Sequence, residues 1–502
     1  MAEQTRATIG AIVEETTVGV LKKPTAATDF IPLRSGGFSQ DPQIEILENN
    51  ELIAGTIGEA KGVAGKENPT GSLGVYVKHT GTPNTAPKWS LLLKSIFGTQ
   101  TDHATEYNTV ASSTTTSLNV DTGEGAQFIK GQAVMVKDTA AGRTYSIRNV
   151  KSITNDALEL NFALSNAPAA AIDLGKANTM SPAATGHKSF SEWLYQANGA
   201  AIEASAGNRV SSANITADAA GQLEATFNFS GTKYYFNPIE VDASSCKIDF
   251  KDDSGSEVTA TLTTGFYRPE ELATEVDTRM EAAGAKNYTC TWAPLTGKFT
   301  ITSDGSALDI LWATGTNNVN AADTILGFSA DITGALTYTG AEKTWAAAYT
   351  PSYDTANVSN IVVKNAELFI GSQTDNVCVK ASNVSIAIEA TLAEILSLCA
   401  TSGVLERPIV RRSVTMTVTT LLEKHRSDYI NSLLNASGLS AMLNCGQKDG
   451  SGNWTPGQCF NVYLGNATIQ SHVISGDDYR TVSITAKGYV TSTLDDIYVN
   501  FI

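Results

Sequence analysis

Five histidines, His79, His103, His187, His425 and His472, are the side chains of this 502-residue chain best suited to proton transfer or metal ligation. None lies at ligand spacing from another histidine or from a cysteine, so the sequence predicts no metal centre. Three carboxylate pairs, Glu270-Glu271, Asp477-Asp478 and Asp495-Asp496, have the residue types for general acid and base work. The first follows Pro269 at the expected start of a helix, where acids complement the dipole, and cap or turn duty is the expected role of all three. No phosphate-cradling loop, dinucleotide fingerprint, nucleophile elbow or HExxH run occurs. The expectation is a chain that is not an enzyme, with no catalytic residues and no cofactor. The cysteines, Cys246, Cys290, Cys378, Cys399, Cys445 and Cys459, form no CxxC pair, which fits reduced, mostly buried thiols of a protein made in a cytosol.

Charge and composition narrow the function further. The formal net charge is −16, with no basic stripe to neutralise phosphates, so sequence-independent nucleic-acid binding is not expected. The residues are 42% hydrophobic and only 17% charged, a balance that favours short β-branched strands over long salt-bridged helices. Met1 to Arg6 lack the basic and apolar regions of a signal peptide, and no run reaches the length of a membrane span, so neither signal-directed export nor a membrane anchor is expected. Trp89 and Trp312 sit in apolar surroundings and are expected in cores, not as stacking platforms.

The elements that must carry any function are strands. Gln43 to Leu47 alternate, and the Gly-rich stretch from about 48 to 70, with Glu48, Glu51, Glu59, Lys61, Lys66 and Glu67, reads as a long mobile loop suited to a partner contact. Leu73, Val75 and Val77 then alternate with Gly74, Tyr76 and Lys78, and Trp89, Leu92, Leu93 and Ile96 form a helical stripe ended by Gly98. The pattern returns at constant spacing: Val414, Met416 and Val418 alternate with threonines, and Ile430, Leu433 and Leu434 follow on a helix expected to close at Gly438. Alternating runs ending in glycine, at Gly231 and Gly488, complete both copies. We read an internal duplication. Residues 1–100 plus 185–231 form the first unit and 343–502 the second; 101–184 is an inserted small β domain and 232–342 an inserted α+β domain. The expected fold class is mainly β: two sandwich- or barrel-like units, each with a packed helix, carrying two inserted domains.

Several stretches resemble the tail tube proteins of long-tailed, non-contractile phages: Leu33-Arg34-Ser35-Gly36-Gly37, Asn68 to Ser72, and Phe190 to Tyr195 leading into Gly207 to Ser212. The likeness covers about residues 1–100, 185–231 and 343–502. The resemblance implies a major tail tube subunit whose sheets line a hollow conduit for DNA ejection, with helices outside and six such units per ring. A chain with two fused units then forms a pseudo-hexameric homotrimer, a hexamer of chains being the second arrangement. It also implies a virion tail assembled in the host cytoplasm, with other tail proteins as partners and viral DNA passing without specific binding.

Strand alternation places Tyr76, Lys78, Thr415, Thr417 and Thr419 opposite the helix-sheet core of Trp89, Leu92, Leu93, Ile430, Leu433 and Leu434. In a ring with external helices these five face the lumen, with Lys78 the exception to an otherwise uncharged wall. Stretches 48–70 and 389–412 occupy matching places, so Glu48, Glu51, Glu59, Lys61, Glu406 and Arg407 are expected in loops that reach the next ring. The competing readings are another virion component, such as a decoration or baseplate protein, and a carbohydrate-binding adhesin. Deleting residues 52–66 is expected to leave soluble protein that no longer polymerises; electron microscopy of the purified variant checks this, and normal tubes would refute the assignment.

Overall fold

The computed structural model describes every residue except 1–7, 50–59, 176, 198, 200, 254, 346–359, 376, 422–426, 477–479 and 492–493. Strands hold 50% of the structure and helices 11%, so the fold is mainly β and built from several sheets.

The alternating segments meet in one antiparallel sheet. Four of its strands come from the N-terminal part, in the order Phe38–Asp41, Thr70–Tyr76, Glu224–Ser230 and the second half of Ala201–Asp218. Four come from the C-terminal part, in the order Ala381–Leu392, Ile409–Leu421, Thr481–Gly488 and the second half of Trp454–Ser475. Both series run in the same pairing order, and they join where residues 212–218 lie antiparallel to residues 383–389. Across this seam an apolar row continues without a break through Val75, Ala225, Ile215, Ile386, Met416, Ala486 and Ile469.

The first halves of the two long strands leave this sheet and pair with a second leaf. In the N-terminal unit the leaf is Ile9–Glu14, Phe190–Gln196 and Lys233–Phe236; in the C-terminal unit it is Glu367–Gly371, Leu439–Lys448 and Tyr498–Phe501. Each unit is therefore a sandwich closed by a helix. Leu91–Phe97 buries Leu92, Leu93 and Ile96 completely and stops at Gly98, whose φ of 94° suits a residue without a Cβ. Trp89 packs its ring against Phe227, Phe460 and Phe501.

The second helix, Ser427–Asn435, departs from the expected register. Its inward stripe runs through Tyr429, Ser432 and the half-buried Leu433, with Ile430 half-buried beside it, whereas Leu434 points outward and is 74% exposed. The helix ends at Ala436, in the left-handed region at φ 49°, and not at Gly438, which packs against the Tyr489 ring. The glycine endings do not correspond either: Ala225 pairs with Val75 as Ala486 pairs with Met416, so Gly231 and Gly488 fall at different points of their strands. The stretch expected to be a mobile loop holds a β-hairpin, Ile44–Asn49 with Ala60–Glu67, and its C-terminal counterpart holds a smaller one, Ile395–Leu396 with Val404–Glu406.

Between the strands Gly98–His103 and Ala177–Pro182 lies a six-stranded sheet around Leu118, Val134, Val150 and Leu158. A second excursion, after Lys233–Phe236, places Leu272, Val276 and Met280 of the helix Pro269–Ala283 over two small sheets. Glu271, in that helix's first turn, accepts the Arg268 backbone N–H at 3.0 Å, a capping interaction.

The six-stranded module leaves the first unit but docks on the second. Its stem strand Ala177–Pro182 pairs with Tyr498–Phe501, and a buried amide network crosses the contact. Asn149 and Asn461 exchange reciprocal hydrogen bonds of 2.8 and 3.0 Å; Asn461 also donates to Asn444 at 2.7 Å and accepts from Asn500 at 2.9 Å. Beside it the Arg148 guanidinium lies 4.5 Å from the centre of the Phe369 ring. Substituting Asn461→Leu leaves three buried amides short of partners and is expected to cost about 2–4 kcal/mol of unfolding free energy. Denaturant titration reads the loss; a change below about 0.5 kcal/mol, ordinary for a surface site, would show that the network holds nothing.

Candidate functional site

The face of the sheet opposite the core is rich in hydroxyl and amide groups, with Glu224, Asp218, Glu389 and Lys487 interspersed. One row reads Ser39, Ser72, Asn228, Ser212, Glu389 and Ser413 across six strands. Another reads Tyr76, Glu224, Thr216, Ser385, Thr417, Thr485 and Ser471. Neighbours on this face bond to one another: Ser39 to Ser72 at 2.8 Å, Asn228 to Ser212 at 2.8 Å, and Ser385 to Asn214 at 3.0 Å across the seam. Among its charges, Glu224 pairs with Arg34, and Asp218 accepts from Asn383. Such a surface holds water through satisfied small polar groups and offers few strong anchors to a charged ligand.

Tyr76, Thr415, Thr417 and Thr419 are half-buried on this face. Lys78 is not on it, because the strand ends at Tyr76 and the chain turns toward the helix. The Lys78 carbonyl accepts the Trp89 indole N–H at 3.2 Å, and Lys78 lines a cavity of about 30 Å³ with His79. Both ring nitrogens of the buried His79 lack a protein partner, and desolvation lowers its pKa to about 4.

The two hairpins lie side by side at one end of the sheet. Lys66 pairs with Glu394 at 2.8 Å, and the Glu67 N–H donates to the Ser402 carbonyl at 3.0 Å. Glu48 and Lys61 are exposed on the longer hairpin; Glu51 and Glu59 lie outside the described residues. Glu406 and Arg407, expected in a reaching loop, are instead bound inward at the base of the shorter one. Glu406 pairs with Arg209 at 2.5 Å, while Arg407 donates to the Gly231 carbonyl at 2.7 Å and to Glu394 at 2.8 Å. Beside these charges the hairpins expose apolar side chains: Ile46 and Val63 on the longer, Leu396, Leu398 and Leu405 on the shorter.

The sheet has two open edges. Residues 468–475 pair with Thr481–Gly488 on one side, and no other described strand lies along the other. Val473 and Ile474 there are 55% and 44% exposed. The opposite edge is Phe38–Asp41, which among the described strands pairs only with Thr70–Tyr76. Neither edge was picked out from the sequence, because exposed Val and Ile in an alternating strand look like any core strand.

Beneath the Phe38–Asp41 edge, Gln40 donates to the fully buried Glu192 at 2.7 Å, and Ser205 donates to the same oxygen at 3.2 Å. The other Glu192 oxygen has no partner, and desolvation pushes its pKa up to about 8, with the nearby Glu203 charge adding to the rise. Burial also raises the pKa of Glu15.

Among the described residues no group of three or more His, Cys, Asp or Glu side chains converges as a metal would need, and no helix is long and apolar enough to cross a membrane. Asp477-Asp478 lies outside the described residues. Asp495 accepts from Lys130 at 2.6 Å and from the Thr491 N–H at 3.0 Å, and Asp496 pairs with Arg412 at 2.7 Å. Cys378 and Cys399 are exposed and the other four cysteines buried, all as free thiols. No protein-family model matches the chain, and a search of curated proteins finds no match.

Because the folded pKa of Glu192 lies above its ordinary value of 4.5, the stability it contributes is fully present below pH 4.5 and is lost as pH rises toward 8. Glu192→Gln is expected to match the wild type at pH 4 and to exceed it at pH 8 by on the order of 3 kcal/mol. Chemical denaturation at the two pH values measures this; equal differences at both would place the carboxylate in water.

Proposed function

We propose that this chain is a structural subunit that assembles edge to edge into rings and stacks them into a hollow tube, as the major tail tube protein of a virion does. The observation that carries the reading is the seam. Residues 212–218 of one unit already pair with residues 383–389 of the next, and the chain leaves the equivalent strands of both units open at its two outer edges. Repeating the same junction between chains adds two four-stranded units per chain and returns to the start without a free edge. With six units per ring, three chains suffice.

Two further features support it. The polar face is the candidate for a lumen: closely spaced hydroxyls and amides give a wet wall, and an overall charge of −16 repels a polyanion that passes along it. The paired hairpins project apolar residues from one end of the sheet, where a stacked ring would cover them. On this reading the protein works in the virion tail, with other tail proteins at the tube ends and viral DNA as cargo.

The substitution Val473→Lys puts charge on an open edge and on the polar face, opposite Ser483 and away from the core. Wild-type protein is expected to form stacked rings or hollow rods under negative stain. The variant should sediment as single chains with an unchanged melting temperature. Rods from the variant, or a wild type that stays a single chain at all concentrations, count against the proposal.

A further inference from the structure

The two units treat the same edge strand differently. In the C-terminal unit Ala381–Leu392 is extended throughout the seam. In the N-terminal unit Phe38 faces Leu73 as Ile388 faces Val414, so residues 35–37 stand where 385–387 stand. They are not a strand. The Gly37 N–H donates to the Arg34 carbonyl at 2.9 Å and Gly36 has a φ of 69°, the pattern of a type II turn that lifts Ser35 and Gly36 out of the ladder. The Arg34 N–H takes the Gly74 carbonyl instead, at 2.8 Å, and its side chain pairs with Glu224. Of the stretch matching residues 385–389, only Phe38 and Ser39 are ready to pair.

We propose that this turn is a latch on the assembly edge, which opens into strand when residues 468–475 of a second copy dock beside it; the inference rests on the ring-forming role above. Three observations fit an opening. Ser35 and Gly36 are exposed, and a Cβ built on Gly36 meets nothing within 4 Å. Extended, Ser35 occupies the row position that Ser385 holds in the other unit, hydroxyl for hydroxyl. The closed turn also shortens the open edge of the free chain, which protects it from pairing out of register before assembly.

Gly36→Val disfavours the turn, since a β-branched residue resists positive φ, but not the strand. A bias of about tenfold in the turn–strand equilibrium is expected, with a critical concentration for assembly lower by about the same factor. Ser35→Pro favours the turn at its second position and removes an N–H from the strand. It should fold normally and fail to assemble. In the wild type, hydrogen exchange at Ser35 and Gly36 should be fast in single chains and protected in assembled ones. Assembly of both folded variants at the wild-type concentration, or unchanged exchange on assembly, overturns the latch. A wild type that never assembles overturns the ring reading and the latch together.

Discussion

Everything in this structure depends on one antiparallel ladder, the seam between residues 212–218 and residues 383–389. Without it each unit is a sandwich with two bare edges; with it, one apolar layer runs unbroken from Val75 to Ile469 and one polar layer lies over it. The seam is made of backbone hydrogen bonds, so it specifies direction and spacing but little side-chain identity. In the proposed assembly the same junction serves between chains, where the residues differ. It also makes register decisive: strand side chains repeat every second residue, and a slip of one position at the seam could set Asn214 opposite Ile386, so that a core-facing Ile386 would bring Asn214 into the core and turn Ile215 outward.

The ladder alone leaves the angle between the units soft, and the buried polar contacts are placed to fix it. The amide network of Asn149, Asn444, Asn461 and Asn500 ties a module inserted in one unit to the outer leaf of the other. Apolar packing at this contact would tolerate sliding. Reciprocal amide bonds do not, because any shift leaves buried donors unpaired at a cost of about 1–3 kcal/mol each. The inserted module is thus a brace across the seam as well as an addition to the surface.

Much of this was legible in the sequence, and the misses have physical causes. Alternation marked Leu73 to Val77 and Val414 to Val418 as half-buried strands, because a period of two leaves its trace whatever the partner. The first helical stripe, Trp89 to Ile96, was legible because all of it is buried. The second was misread at Leu434: leucines on both flanks of a short helix give no single stripe, and Tyr429 and Ser432, which face inward, are not typical core residues. Glu406 and Arg407 looked like surface charges, since pairing with Arg209 and with the Gly231 carbonyl depends on contacts remote in sequence. The Asn network left one usable trace, a lone amide at Asn461 within the apolar run Phe460 to Leu464.

The two units also show what duplication permits. Once two copies share a chain, one junction is covalently guaranteed and its strands are free to become long and regular, as Ala381–Leu392 has. In the proposed assembly the other junction forms between molecules, and a long regular open edge there would invite pairing with any exposed strand. A short edge strand preceded by the Arg34–Gly37 turn is the safer design for that position, at the cost of a rearrangement when the correct partner arrives. The divergence between the two edge strands, one extended and one folded back within a nearly identical topology, matches the different tasks that the proposed assembly gives them.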